Sequence, residues 1–320
     1  MRIQILPPCK QNFFALAWPC GAEHIRTAPI SVFPQGNTVS ICILHANCQG
    51  GPLTRLLRLS PAFSRRWDIL HITNYDRSPV PSDALEHCSL FLYQHLGPQW
   101  GDLASENLLS RLPRNAVSLC LPNLFFMGYW PFWTSDSSMN FGDICLDYLT
   151  DKGLSPAEIL HVCLHGRLDA ICNIEERINE SRTYQKQKDG NAIISLENFI
   201  DAHWKEEQLF TTVNHPAPKL SLMVANAVLD RLHLPGLPNS VLDSEGDALD
   251  CDRQLHQPIH PGIGRRFALP FAGPERRYRI YENRLTFRQY ALAYVDCRRK
   301  KLPFLAYLAC LRAGDEDKSA

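Results

Sequence analysis

Four unbroken apolar, largely β-branched runs recur through the first 124 positions: "VSICILHAN" (39–47), "WDILHITNY" (67–75), "CSLFLYQHL" (88–96) and "AVSLCLPNL" (116–124). Runs of this kind, without polar alternation, predict strands covered on both faces, as in a parallel sheet. "PLTRLLRL" (52–59) predicts a helix with proline in its first turn, and a second helix is expected near 102–111. Strands alternating with helices at this spacing predict an α/β fold with a parallel-sheet, three-layer core.

The pattern then turns helical. Ser155, Pro156 and Glu158 form a capping box with proline at the first helical position, opening a helix over 156–165. Further helices are predicted at 168–187 and 196–208. Another is predicted at 219–234, where Leu220, Met223, Val224, Ala227, Val228 and Leu232 share one face. Residues 235–285 are rich in Pro, Gly and Asp and read as loops with short strands, before a last helix near 287–300 capped by Thr286 and Gln289. The resulting division is an irregular extension (1–38), an α/β catalytic domain (39–235), and a loop-rich, helical extension packed on the core (236–320).

Charge excludes more than it selects. Thirty-three basic and 33 acidic residues cancel, so no nucleic-acid partner is expected. The apolar runs are short and interrupted by proline, so no transmembrane segment is expected. Twelve cysteines occur without a CxxC pair, mostly inside apolar runs. That usage fits buried thiols in a reducing, cytoplasmic setting. His161, Cys163 and His165 are spaced by two, which matches no structural zinc site, and no residue set is assigned to a metal.

The chemistry concentrates where the first strand ends, in "ILHANCQGG" (43–51). Ligands of parallel α/β sheets bind at the carboxyl ends of strands, often where the next helix begins. Cys48 sits there beside a helix N-terminus, whose positive dipole end favours a thiolate. Asn47 and Gln49 offer amide donors for a developing oxyanion, and Gly50 and Gly51 allow close backbone approach to a ligand. The same residues also suit a buried cysteine in a tight strand–helix connection. A nucleophile needs a base: His215, next to Asn214 and ahead of the 219–234 helix, is the first candidate, and His95 at the end of the third strand is the second. The aromatic stretch "LPNLFFMGYWPFW" (121–133) reads either as the wall of an apolar pocket or as a loop closing the core.

Three segments together resemble the WcbI family of polysaccharide biosynthesis enzymes, a bacterial capsule-associated family. They are Asn47-Cys48-Gln49 after the first strand, Gly128-Tyr129-Trp130-Pro131, and Phe210 with Asn214-His215-Pro216 before a helix. The resemblance spans about 40–235, and Ala46 stands where the family usually has glycine. It implies coenzyme A, as acetyl-CoA, and an acetyl transfer to a saccharide hydroxyl, with Cys48 as nucleophile and His215 as base. It also implies basic and aromatic contacts to the coenzyme: Arg55 and Lys219 are the nearest cations, with Tyr129 and Asn214 in the matching motifs. The same cysteine–histidine pair suits a thioester or ester hydrolase. The turn and aromatic loop also suit a coenzyme A- or nucleotide-binding protein without turnover. A homo-oligomer is compatible with the sequence.

Overall fold

The computed structural model describes residues 39–311 apart from 136–138, 140 and 252; the predicted N-terminal extension lies outside the described residues. Strands β1 (Ser40–Ala46), β2 (Trp67–Thr73), β3 (Cys88–Gln94) and β4 (Val117–Leu121) form one sheet in the order β2-β1-β3-β4. Every pairing is parallel. All four strands lie within the predicted apolar runs. With helices on both faces this is the predicted α/β fold.

Residues alternate between two cores, as the strand repeat of two requires. Cys42, Leu44 and Ala46 of β1 pack on one face with Leu53, Leu56 and Leu57 of helix α1 (Gly50–Leu59). Ile43 packs on the other with Phe91, Ala84, Leu85 and Leu108. The strand order reverses between β1 and β3, so their carboxyl ends flank a crevice at the topological switch point. Cys48 and Gln94 stand at those two ends.

The helices at 156–165 and 287–300 form where predicted, each with its full capping box. Elsewhere the boundaries change. The region predicted as 102–111 is a 3-10 turn (Pro98–Leu103) and then a helix (Ser105–Ser110). The 168–187 helix is split: a 3-10 turn covers Leu168–Ala170, and Asn173 caps a helix over Ile174–Lys188. The 196–208 helix covers only Glu197–His203, and the 219–234 helix begins a residue early, at Pro218, and ends at Arg231. Among the described residues six α-helices lie outside the predicted ones: Pro61–Ser64, Ser82–Glu86, Ile144–Asp151, Val241–Glu245, Pro261–Arg266 and Phe304–Cys310.

The C-terminal part shares the large core. Leu255, Ile259, Ile263 and Tyr294 are buried in the cluster that holds the 125–133 aromatics. Trp130 Nε1 donates to the Gln257 carbonyl (3.1 Å) and Tyr294 Oη to Asp147 (2.7 Å). Among the described residues no helix is long and apolar enough to cross a membrane.

Three buried histidines make the fold acid-sensitive. Burial lowers His45 and His71 to about 4 and His260 to about 3. His260 Nδ1 also accepts the Gly262 N–H that starts the Pro261–Arg266 helix, which a protonated ring would forfeit. Each histidine is neutral when folded and gains a proton on unfolding below about pH 6.5. Asp143, raised to about 7 by burial, and Asp189, also raised by burial, act with the opposite sign. Three histidines outweigh two carboxyls, so stability falls as pH drops from about 6.5 towards 4. The urea midpoint should therefore be clearly lower at pH 5 than at pH 7.5; an equal or higher midpoint at pH 5 contradicts this balance.

Candidate active site at the sheet switch point

The site is assembled by side-chain amides at the carboxyl ends of β1 and β3. Asn47 Oδ1 accepts the Gln49 N–H (3.0 Å), folding the turn that carries Cys48. The Asn47 N–H donates to Gln94 Oε1 (2.9 Å), tying the ends of the two strands together. Gln94 Nε2 donates to Gln49 Oε1 and to the Pro122 carbonyl, both at 3.2 Å. Gln49, only 9% exposed, uses its whole amide: Nε2 donates to the Leu124 and Asn214 carbonyls (2.8 and 2.9 Å), and Oε1 accepts from Leu124 N–H (3.1 Å) and Gln94. These bonds hold the Asn-Cys-Gln turn, the exit of β4 and the Asn-His-Pro turn against one another.

Cys48 is buried, at 9% exposure, just ahead of α1, and Asn214 Nδ2 reaches its sulfur at 3.9 Å. His215 is fully buried. It starts the two-residue strand His215–Pro216, which pairs with Phe210–Thr212 two residues ahead of the Pro218–Arg231 helix. Thr212 Oγ1 donates to Asn214 Oδ1 (3.1 Å), and Thr211 Oγ1 to the His215 carbonyl (3.4 Å). The structure thus brings together Asn47, Cys48, Gln49, Asn214 and the backbone of His215 over the switch point. A cavity of about 20 Å³ lies below them, lined by Gln49, Gly50, Gln94 and Pro216, with room for one water.

The remaining expected residues lie elsewhere or act otherwise. Gln49 is no oxyanion donor, because both its N–H groups are already given. His95 is exposed, and its neighbour Gln94 joins the amide network instead. Tyr129 is a core residue rather than a coenzyme contact. Its ring is fully buried among Phe126, Trp130, Trp204 and Phe271, and its hydroxyl lies within reach of the Trp204 and Glu207 carbonyls (2.7 and 3.0 Å). Arg55 bonds Glu245 (Nε, 2.7 Å) and Lys219 bonds Glu207 (2.5 Å). Gly50 is needed for packing: a Cβ there would meet His71 Nε2 at 2.3 Å, whereas a Cβ on exposed Gly51 meets nothing within 4 Å.

The aromatic stretch closes the core, and a polar helix face satisfies its irregular backbone. Arg177, Ser181, Gln185 and Asp189, spaced by four, bond the Pro131 and Trp133 carbonyls, Met127 N–H, Phe125 N–H and Asn123 N–H. Asn123 Oδ1 in turn accepts from Asn47 Nδ2 (3.1 Å). Gln94, offered by the sequence beside His95 as an orienting residue, takes that place in the network; Asn123 and this stripe are site-building residues without a sequence expectation, and for the stripe the spacing of four was the available signal. Beyond the ends of β2 and β3, Arg77 stacks over Trp100, 4.7 Å from the ring centre.

The model of the polysaccharide biosynthesis enzyme WcbI matches residues 41–237, more than half of the chain. The chain belongs to the WcbI family. A solved WcbI structure, described as a novel polysaccharide biosynthesis enzyme, shares the fold with a TM-score of 0.68. At 20% identity, the match covers 85% of this chain and 93% of that one. That WcbI is described as the native protein without the disulfide bond between coenzyme A and one of its cysteines. No curated protein matches the chain.

Two tests follow from the packing. Gln49→Ala leaves four buried polar partners without their bonds and should lower stability by about 2–5 kcal/mol in urea unfolding; a loss below about 1 kcal/mol would contradict the role given to this amide. Gly50→Ala should lower the melting temperature, while Gly51→Ala should leave it unchanged or raise it slightly; the reverse order would contradict the packing of His71 on Gly50.

Proposed function

We propose that this WcbI-family chain is a coenzyme A-dependent acyltransferase that moves an acetyl group to a saccharide hydroxyl, with Cys48 as nucleophile and His215 as base. The observation that carries the reading is the pairing of the two motif turns at the switch point, where Asn214 lies 3.9 Å from the Cys48 sulfur. The family's place in polysaccharide biosynthesis supports a sugar acceptor. The coenzyme A named for the related WcbI structure supports a thioester donor.

The residues fit coenzyme A in part. A half-buried rim of amides around a sulfur suits the thioester end, and Arg77 over Trp100 on the same sheet edge suits a phosphate and a base. Arg55 and Lys219 reach a phosphate only by exchanging Glu245 and Glu207 for it. Bound acetyl-CoA supplies the acyl group as a thioester. Cys48 takes the acyl carbon on its sulfur as the bond to the coenzyme sulfur breaks, while the first turn of α1 favours negative charge beside it. Asn47 and Asn214 each have a second amide N–H to turn towards the oxyanion. His215 takes the Cys48 thiol proton and passes it to the departing thiolate; it then removes one from the sugar hydroxyl, which attacks the acyl carbon, and hands that proton to the Cys48 sulfur as the thioester bond to it breaks. In a direct route His215 would activate the sugar without the covalent step.

Thiol release from acetyl-CoA in the presence of a sugar acceptor tests the assignment. Cys48→Ala should abolish it in a folded protein, and His215→Ala should slow it by roughly 10²–10⁴-fold. Wild-type rates in both variants would remove the pair from catalysis, and release independent of any acceptor would make the chain a hydrolase.

A further inference from the structure

The outer face of the Pro156–His165 helix carries a histidine pair that the switch-point site does not use. The capping box and the buried Ile159, Leu160 and Cys163 fix which way this helix faces. Along the sequence His161, Cys163 and His165 are spaced by two, but the helix separates them. Cys163 is buried, while His161 and His165, four residues apart, are both exposed on one face. Their ring centres stand 5.1 Å apart. Neither ring has a hydrogen bond or an ion pair among the described residues. Three other histidines outside the core are engaged: His87 Nδ1 lies 2.8 Å from the Asp83 carbonyl, His203 Nδ1 lies 3.4 Å from Glu206, and His256 Nε2 lies 2.6 Å from Asp250.

A zinc–nitrogen bond of about 2.0–2.1 Å places an imidazole centre about 3.2 Å from the metal, so two rings sharing one ion at a tetrahedral angle stand about 5.2 Å apart. The observed separation meets that requirement without rebuilding the helix. Histidines at this spacing on one helix face recur as zinc ligands. Zinc proteases place a glutamate after the first of them; here Val162 stands there, so no general base accompanies the pair. His165 is the last helical residue, where the negative end of the helix dipole favours a cation. Two charges border the pair. Glu158, a turn before His161, is held in the capping box by the Ser155 N–H (2.8 Å), and Arg265 Nη2 donates to the Leu164 carbonyl (2.9 Å). That guanidinium opposes a second cation and limits its affinity. Among the described residues no group of three or more His, Cys, Asp or Glu side chains is placed to hold a metal. Two imidazoles are therefore the protein's whole contribution, and water completes the coordination.

We infer that His161 and His165 chelate a late first-row divalent metal ion, with Zn²⁺ the ion whose geometry the pair matches. Imidazole selects zinc, nickel and copper ions, whereas magnesium and calcium take oxygen ligands. The helix packs against Ile144–Asp151, Pro261–Arg266 and Phe287–Lys300. The site is thus separate from the switch point, and the inference stands without the acyltransferase reading. A bound ion ties the last two turns of the helix together and stabilises the folded chain by mass action.

The probe is Zn²⁺ alone, titrated by calorimetry into the full, untagged chain with its thiols kept reduced. His161→Ala and His165→Ala should each weaken the wild-type site by roughly a hundredfold, because either change removes the second, tethered ligand. The double substitution should weaken it no further. Both residues are exposed, so the variants keep the fold. Zinc held by thiols elsewhere is common to wild type and variants and cancels in the comparison. Zn²⁺ should also raise the melting temperature of wild type more than that of any variant. Zinc affinity unchanged in the double variant would overturn the inference. Independent, additive losses in the single variants would do the same, since they describe two separate surface imidazoles. So would displacement of the zinc by an equal concentration of Mg²⁺.

Discussion

The buried amide of Gln49 is the interaction on which the candidate site depends. Its two N–H groups and its oxygen reach the Leu124 backbone, the Asn214 carbonyl and Gln94, so segments far apart in sequence meet at one side chain. A buried amide satisfied at every position is stabilising and specifies one geometry, whereas a partly satisfied one is costly. The Cys48 turn and the Asn-His-Pro turn therefore hold their relation only while this network is complete. The switch point supplies the place, because the reversal of strand order between β1 and β3 leaves an opening above their ends.

Support extends outward from that amide in layers. Asn123 links Asn47 to Asp189, and the helix carrying Asp189 presents Gln185, Ser181 and Arg177 to the backbone of the aromatic segment. Seven large side chains between Phe125 and Trp133 can thus be buried in an irregular conformation, since the polar groups of their backbone have partners on the helix. Packing and polar satisfaction are one construction here. The rigidity given to the site comes from both.

The parallel sheet was legible because continuous apolar runs have few other uses, and the cysteine turn because its residues are adjacent in sequence. The position of His215, just ahead of a helix, was legible for the same local reason. Asn123 and the Arg177–Asp189 stripe were not, because their roles exist only across distant contacts. A polar face on the Ile174–Lys188 helix reads as solvated, yet it is buried because what it meets is irregular backbone. Tyr129 misled because a cluster of aromatics after a strand has the same pattern whether it lines a pocket or fills a core. The predicted 168–187 helix exceeds the observed one because Asn173, the residue that caps its true start, lies inside an otherwise acceptable helical pattern.

Whether acetyl passes through Cys48 is read by intact-protein mass spectrometry with acetyl-CoA, comparing native with denatured samples of wild type and Cys48→Ala. Transfer through Cys48 requires a non-covalent coenzyme A increment in the native spectrum, and an acetyl adduct that survives denaturation in wild type and is missing in Cys48→Ala. An adduct of equal yield in Cys48→Ala, or no coenzyme A increment in either protein, would contradict it.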